Sequence, residues 1–318
     1  MSTPAQVAAP STVLRGPAAT KAVRRSFSSP IASLLVVLLT LLWTVPTFGL
    51  LVTSLRPAGV VSTTGWWTVF VHPSFTFANY HEVLFSGAGL GVSDGLLPYF
   101  VNSLAITVPA TLFPLAIASA AAYVLAWVKF KGSDALFFFI FALQVVPLQL
   151  ALLPLLQLSS GGAHIGSVTI FPDLNLGNTY VPLWTAHTMF ALPLAIFLLH
   201  NFIAQIPRDL IEAGLVDGAS HFRVFRTIVL PLAAPALASY AIFQFLWVWN
   251  DLLVALTFAG GSGRAPITAR LAQLTGSFGG RWQLLTAGAF IAIIVPMAVF
   301  FALQRYFVRG LLAGSVKG

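Results

Sequence analysis

Residues 206–231 read IPRDLIEAGLVDGASHFRVFRTIVLP, and the sequence on both sides of them is strongly apolar. This is the longest polar interruption in the C-terminal half of the chain, and it carries Arg208, Asp209, Glu212, Asp217, Arg223 and Arg226. Pro207 suits the first turn of a helix, where its missing N–H is no loss, and Asp209 and Glu212 complement the helix dipole near that end. Ile211, Leu215 and Ala219 recur every four residues, which gives a short helix one apolar side. Asp217-Gly218 breaks that helix, because glycine tolerates the positive φ of a tight turn. Ser220 is placed to cap a second short helix in which Phe222, Phe225 and Ile228 share a face, and Pro231 closes the unit. The stretch predicts two short amphipathic helices joined by a bend, held at a membrane surface between two spans.

Composition agrees with a membrane setting. Of 318 residues, 58% are hydrophobic and 8% charged, and the mean hydropathy is +0.91. An ordinary soluble domain has about 25% charged residues. The net charge of +8 is spread among short loops, so it reports topology rather than a nucleic-acid partner. With no cysteine, neither a disulfide framework nor a thiolate metal site is possible. The six histidines show no HExxH pairing, and no phosphate-binding G-x-x-x-x-G-K-[ST] loop occurs.

Outward from the loop, apolar runs of helix length mark six transmembrane helices in an all-α membrane protein. They cover 31–53, 99–128, 135–156, 180–203, 232–258 and 282–308, so the permeating unit is 31–308. Residues 1–30 lack periodicity and read as a mobile tail, and 309–318 read as a second tail. The loop at 54–98 carries Trp66 and Trp67, which suit the headgroup layer. In the third span Gln144 and Gln149 lie among prolines Pro147 and Pro154 and are expected to face the bundle interior. There they serve either as glue between helices or as the lining of a polar path. The loop at 157–179 is rich in glycine. His187 in the fourth span reads as a hydrogen-bonded core histidine, and the fifth span holds Gln244, Trp247, Asn250 and Asp251.

Six spans place both termini on one side. That side holds twelve of the 16 Lys+Arg, and the other holds Arg56, Arg264, Arg270 and Arg281. The positive-inside rule then puts the termini and the 206–231 loop in the cytoplasm.

Glu212-Ala213-Gly214, Asp217-Gly218-Ala219 and Ile228-Val229-Leu230-Pro231 resemble, in order and spacing, the EAA loop of importer-type ABC transporter permeases. The one departure is Gly214 where the pattern has a second alanine. The resemblance implies a type I ABC importer permease fold, located in the cytoplasmic (inner) membrane. It also implies a coupling helix docked in a cleft of a separate ATP-hydrolysing subunit. Carried over by position, Glu212, Ala213, Gly214, Asp217, Gly218, Ala219, Phe222 and Phe225 are the coupling residues. The chain itself is then no enzyme and holds no cofactor; ATP and Mg belong to the partner.

The ending Ala313-Gly314-Ser315-Val316-Lys317-Gly318 and the segment Trp249-Asn250-Asp251-Leu252 are similar to permeases of the maltose-type sugar importers. The implied partners are a second homologous permease, two ATP-binding subunits, an extracytoplasmic sugar-binding protein and the lipid bilayer, with no nucleic acid. The implied substrate is an oligosaccharide or α-glucoside, with another polar solute such as a glycerol phosphate ester as the alternative. A sugar path needs amides and aromatic faces without strong fixed charge. Gln244, Trp247 and Asn250, three apart along the fifth span with Asp251 beside them, form a candidate row, joined by Gln144 and Gln149. The other reading of the row is helix glue and an interfacial tryptophan belt. A secondary transporter would need its own intramembrane ionisable coupling site, and only Asp251 qualifies. A membrane enzyme would need clustered acids, bases or metal ligands, and none is apparent.

Overall fold

A computed structural model describes residues 30–86, 94–128, 130–275 and 281–315, with the backbone alone at 274, 275 and 305–315. The expected N-terminal tail at 1–29, Lys129 and the last three residues lie outside the described residues. Among the described residues, five helices are long and apolar enough to cross a membrane. They are α1 (Pro30–Ser54), α2 (Leu97–Trp127), α5 (Val181–Ile203), α7 (His221–Asn250) and α10 (Trp282–Ser315). The bent pair α3 (Ser133–Ala142) and α4 (Leu148–Gly161) brings the number to six when it is counted as one span. Between the spans lie α6 (Arg208–Val216), α8 (Leu253–Ala259) and α9 (Ile267–Thr275).

The broken pair corrects the expectation of one continuous third span at 135–156. After α3 the chain tightens into a 3-10 turn at Leu143–Val145, and the direction changes by 97° before α4. Pro147 is the reason: it donates no backbone hydrogen bond, and it sits in extended conformation immediately before α4. The glycine-rich loop is also shorter than expected. Residues 157–161 belong to α4, and a two-stranded antiparallel hairpin follows, β1 (Ala163–Ile165) with β2 (Val168–Phe171).

Two further boundaries differ. The fifth span ends at Asn250, where Asp251 leaves the helical region, and α8 starts afresh at Leu253. The backbone of α10 stays helical through 309–315, where a tail was expected.

Small residues set the packing. Ala118 and Ala122 of α2 lie fully buried with Ala195, Ile196 and Leu199 of α5, so these two helices approach closely along their lengths. The same cluster takes in Ile211 of α6 and Val224, Val229, Ala233 and Tyr240 of α7. The polar loop is thus seated on the bundle rather than hung from it. A second cluster, with Phe245 and Trp249 of α7 against Leu284, Ala287 and Ile291 of α10, forms the other end. By contrast α1 buries only Gly49, Val52 and Ser54, all near its end, and leaves most of its apolar surface open.

Candidate functional site

The 206–231 loop begins where Pro207, in extended conformation, starts α6. Ile211 is buried and Leu215 and Ala219 pack beside it, so the four-residue apolar spacing does become one buried face. The end of α6 is a hydrogen-bonded C-cap. Ala219 N–H donates to Gly214 O (3.1 Å) and Gly218 N–H to Leu215 O (3.0 Å). Gly218 supplies the left-handed residue this cap requires, with φ of 80°. Gly214 has a separate reason to be small. A Cβ there would meet Ile228 Cδ1 at 3.1 Å and Val224 Cγ2 at 3.3 Å, where α6 crosses the start of α7. Ser220 caps as expected, its Oγ accepting from Arg223 N–H at 3.3 Å.

The second helix departs from expectation. It does not stop at Pro231 but runs on as α7 through a five-residue π turn, Phe225–Val229. The wide turn ends two residues before Pro231, which has no N–H to give, and the helix passes the proline without breaking. Phe222 and Phe225 therefore do not share a packed face. Phe222 is 71% exposed, whereas Phe225 lies on the Tyr123 ring of α2 at 5.3 Å between centroids. A tie that the sequence did not announce holds the loop to the bundle: Tyr123 Oη is 2.9 Å from His221 Nδ1. Just before the loop, Trp127 Nε1–H of α2 donates to Ile203 O at the end of α5 at 3.2 Å. The outward side of the loop carries Glu212, Ala213 and Asp217, with Leu210, Val216 and Phe222 exposed beside them.

The candidate path residues do not form one row. Gln244 is buried: its Oε1 accepts from Tyr240 Oη at 3.2 Å, and its Nε2 donates to Ala110 O of α2 at 3.3 Å. Trp247 is half-buried, edge-on to the His187 ring at 5.9 Å. Asn250 is exposed and donates to Leu246 O of its own helix. A three-residue spacing drifts around a 3.6-residue helix, so over 244–250 it carries the side chains from the interior to the surface. Asp251 caps α8: its Oδ2 accepts from Ala255 N–H at 3.1 Å and stands 3.9 Å from Nε2 of buried His187. Gln144 and Gln149 flank the bend between α3 and α4, and both are exposed on this chain instead of facing its interior. At the bend the chain turns its helix axes apart and presents these side chains outward.

Sequence reasoning also missed a polar clamp at the other ends of the spans. Asn102 Nδ2 donates to Gly263 O and Ala265 O, Tyr180 Oη donates to Asn102 Oδ1, and Ser103 Oγ accepts from Ile267 N–H. Arg264 and Arg270 lie over the rings of Tyr180 and Tyr99. The Asn102-Ser103 pair at the start of the second span was the available signal. Among the described residues no three His, Cys, Asp or Glu side chains gather as a metal site would require.

Known proteins place this geometry. The chain is 52% identical over 281 residues to the osmoprotective compounds uptake permease protein GgtD of Synechocystis sp., covering 87% of this chain and 88% of that protein. It is 54% identical over 255 residues to the alpha-glucoside transport system permease protein AglG of Rhizobium meliloti, covering 80% of this chain and 63% of that longer protein. A chain of a bacterial ABC transporter involved in the import of the acidic polysaccharide alginate superposes with a TM-score of 0.63 at 15% identity, over 92% of this chain and 98% of that one. That likeness carries the fold, a type I importer permease. Residues 113–312, which span the seated loop and its Gly218 turn, match the model of the binding-protein-dependent transport system inner membrane component, and the chain belongs to that family as a membrane-embedded permease subunit of an ABC importer.

Proposed function

We propose that this permease imports a sugar, an oligosaccharide or α-glucoside, by alternating access driven by ATP hydrolysis in separate subunits. The substrate class is supported by the two relatives above 50% identity, one an alpha-glucoside permease and the other a permease for osmoprotective compounds. The mechanism rests on one observation, the outward side of the 206–231 loop. Leu210 and Val216 of α6 and Phe222 at the start of α7 stand exposed on a loop that is otherwise well seated, with no described residue covering them. An amphipathic helix with an open apolar face fits a partner's groove. That partner is an ATP-binding subunit, one of two, which holds ATP and Mg. Glu212, Ala213 and Asp217 border the contact, while Gly214, Gly218, Ala219 and Phe225 keep its shape from behind.

A second homologous permease completes the path, and an extracytoplasmic sugar-binding protein delivers the substrate. Both termini and the loop lie in the cytoplasm, in keeping with twelve of 16 Lys+Arg on that side. Gln144 and Gln149 face the path or the second permease, because an amide and a broken helix are both poorly placed against lipid. Asn250 and Asp251 stand at its outer end.

The test is the assembled transporter with Glu212→Lys or Gly218→Pro. Each variant is expected to insert normally while uptake and substrate-stimulated ATP hydrolysis come apart. Normal coupling in both variants would remove the loop from the mechanism. Uptake assays with α-glucosides and with glycerol phosphate esters decide the substrate class.

A further inference from the structure

Arg56 lies just beyond the end of α1 and is 1% exposed. Its guanidinium is held by neutral oxygens only. Nη1 donates to Gly65 O at 2.8 Å, and Nη2 donates to Thr64 Oγ1 at 3.1 Å and Thr68 Oγ1 at 2.8 Å. Its Nε–H is buried and has no acceptor among the described residues. All eight Asp and Glu residues of the chain are among the described residues, and none lies within salt-bridge distance of Arg56. A buried cation without a counter-charge is costly, and such groups are normally paired.

Arg56 also lines a cavity of about 210 Å³. The other walls are Leu50 and Thr53 of α1, Val61, Thr64 and Trp66 of the following loop, and Trp282 and Thr286 of α10. The lining therefore combines one cation and three hydroxyls with apolar and aromatic surface. A water occupies about 30 Å³ of liquid, so the space takes a group of roughly seven water volumes. Around it the surface is unusually apolar for a loop: Trp67, Phe70, Val71, Phe75 and Phe77 are each at least 62% exposed. Exposed aromatic residues at the end of a span mark the headgroup layer of a bilayer.

The geometry points to a phospholipid site, in which a headgroup phosphodiester neutralises Arg56 and the acyl chains run down the open apolar face of α1. In the orientation proposed above the lipid belongs to the extracytoplasmic leaflet, but the site itself does not depend on that orientation. The phosphate oxygens take the Nε–H, which no described residue accepts, rather than the hydroxyls of the cavity wall, since Thr53, Thr64 and Thr286 already donate to backbone carbonyls. Trp66 and Trp282 bracket the glycerol.

The experiment uses the full-length permease in its assembled, delipidated transporter. Short-chain phosphatidylglycerol, the matched diacylglycerol without phosphate, and inorganic phosphate are titrated while the thermal unfolding midpoint is followed. Native mass spectrometry counts retained phospholipid. Phosphatidylglycerol is expected to raise the midpoint and to be retained, and the other two are not. In Arg56→Gln its apparent affinity falls about tenfold or more, as for loss of one charged hydrogen bond. Because Arg56 also ties down the 64–68 turn, a second variant, Val61→Trp, fills the cavity from a wall that leaves those bonds intact, and it is expected to lose binding equally. An equal response to the diacylglycerol would show greasy contact alone, and an equal response to inorganic phosphate would show a free-anion site. Either result overturns the proposal, as does wild-type affinity in both variants.

Discussion

Gly218 and Gly214 lie four residues apart in one loop and are glycine for opposite reasons. At Gly218 there is open space around an added Cβ, but φ is 80°. Gly218→Ala is therefore expected to destabilise the loop by about 1 kcal/mol through backbone strain alone, read as a lower unfolding midpoint with weakened coupling. At Gly214 the backbone is ordinary helix and the obstacle is the flexible tip of Ile228. Gly214→Ala, which restores the alanine of the EAA pattern, is expected to fold and couple nearly as the native chain does, after a shift of that tip. Loss of coupling with normal folding in Gly214→Ala would show that the tip cannot give way. Asp217-Gly218 was legible because an Asp-Gly pair carries its turn geometry locally. The role of Gly214 was not, since it depends on where α7 crosses α6. Gln244 makes the same point inside the membrane. Its amide bridges Tyr240 and Ala110 O, so Gln244→Leu is expected to lower stability by about 1 kcal/mol while leaving sugar selectivity unchanged. A change in selectivity at unchanged stability would return Gln244 to the path.

The elements were legible wherever an apolar run and its ends are local properties. Four of the five unbroken spans begin within about a turn of where the runs begin, and Ser220 caps where its position says it should. The third span was not legible, because an apolar run of sufficient length looks the same whether its axis is straight or turned by 97°. Pro147 shows only that a ladder bond is missing; the neighbours decide whether the helix kinks or parts. The bend is also where the exposed amides lie. Gln144→Leu and Gln149→Leu are expected to leave insertion and assembly intact and to reduce uptake at subsaturating sugar. Full uptake in both variants would mean that these amides meet only the second permease or the headgroups. The fifth span teaches a related lesson about register. Gln244, Trp247 and Asn250 share a spacing but not a face, because three residues fall short of a helical turn and the shortfall accumulates.

At the scale of the molecule, composition and the distribution of basic residues announce a polytopic chain, and the loop motif announces its kind. Contacts between distant segments were invisible: Tyr123 with His221, Asn102 with the 263–265 backbone, Asp251 with His187. Each joins residues whose meeting is set by the packing of whole helices rather than by any local pattern. Orientation can be checked directly, since the chain contains no cysteine. Thr63→Cys and Arg208→Cys, both at exposed positions, are expected to differ toward a membrane-impermeant maleimide, the first reacting in intact cells and the second only after the membrane is opened. The continuity of α7 has a mechanical meaning as well. Its 30 residues make a shaft of about 45 Å, so a tilt of only about 5° at the Phe222 end sweeps the Asn250 end through about 4 Å. The shaft has one compliant stretch, from the π turn at Phe225–Val229 through Pro231 to Pro235, where the regular hydrogen-bond ladder is interrupted. Stiffness there sets the gearing between a displacement imposed on the loop and the movement delivered beside His187 and Asp251.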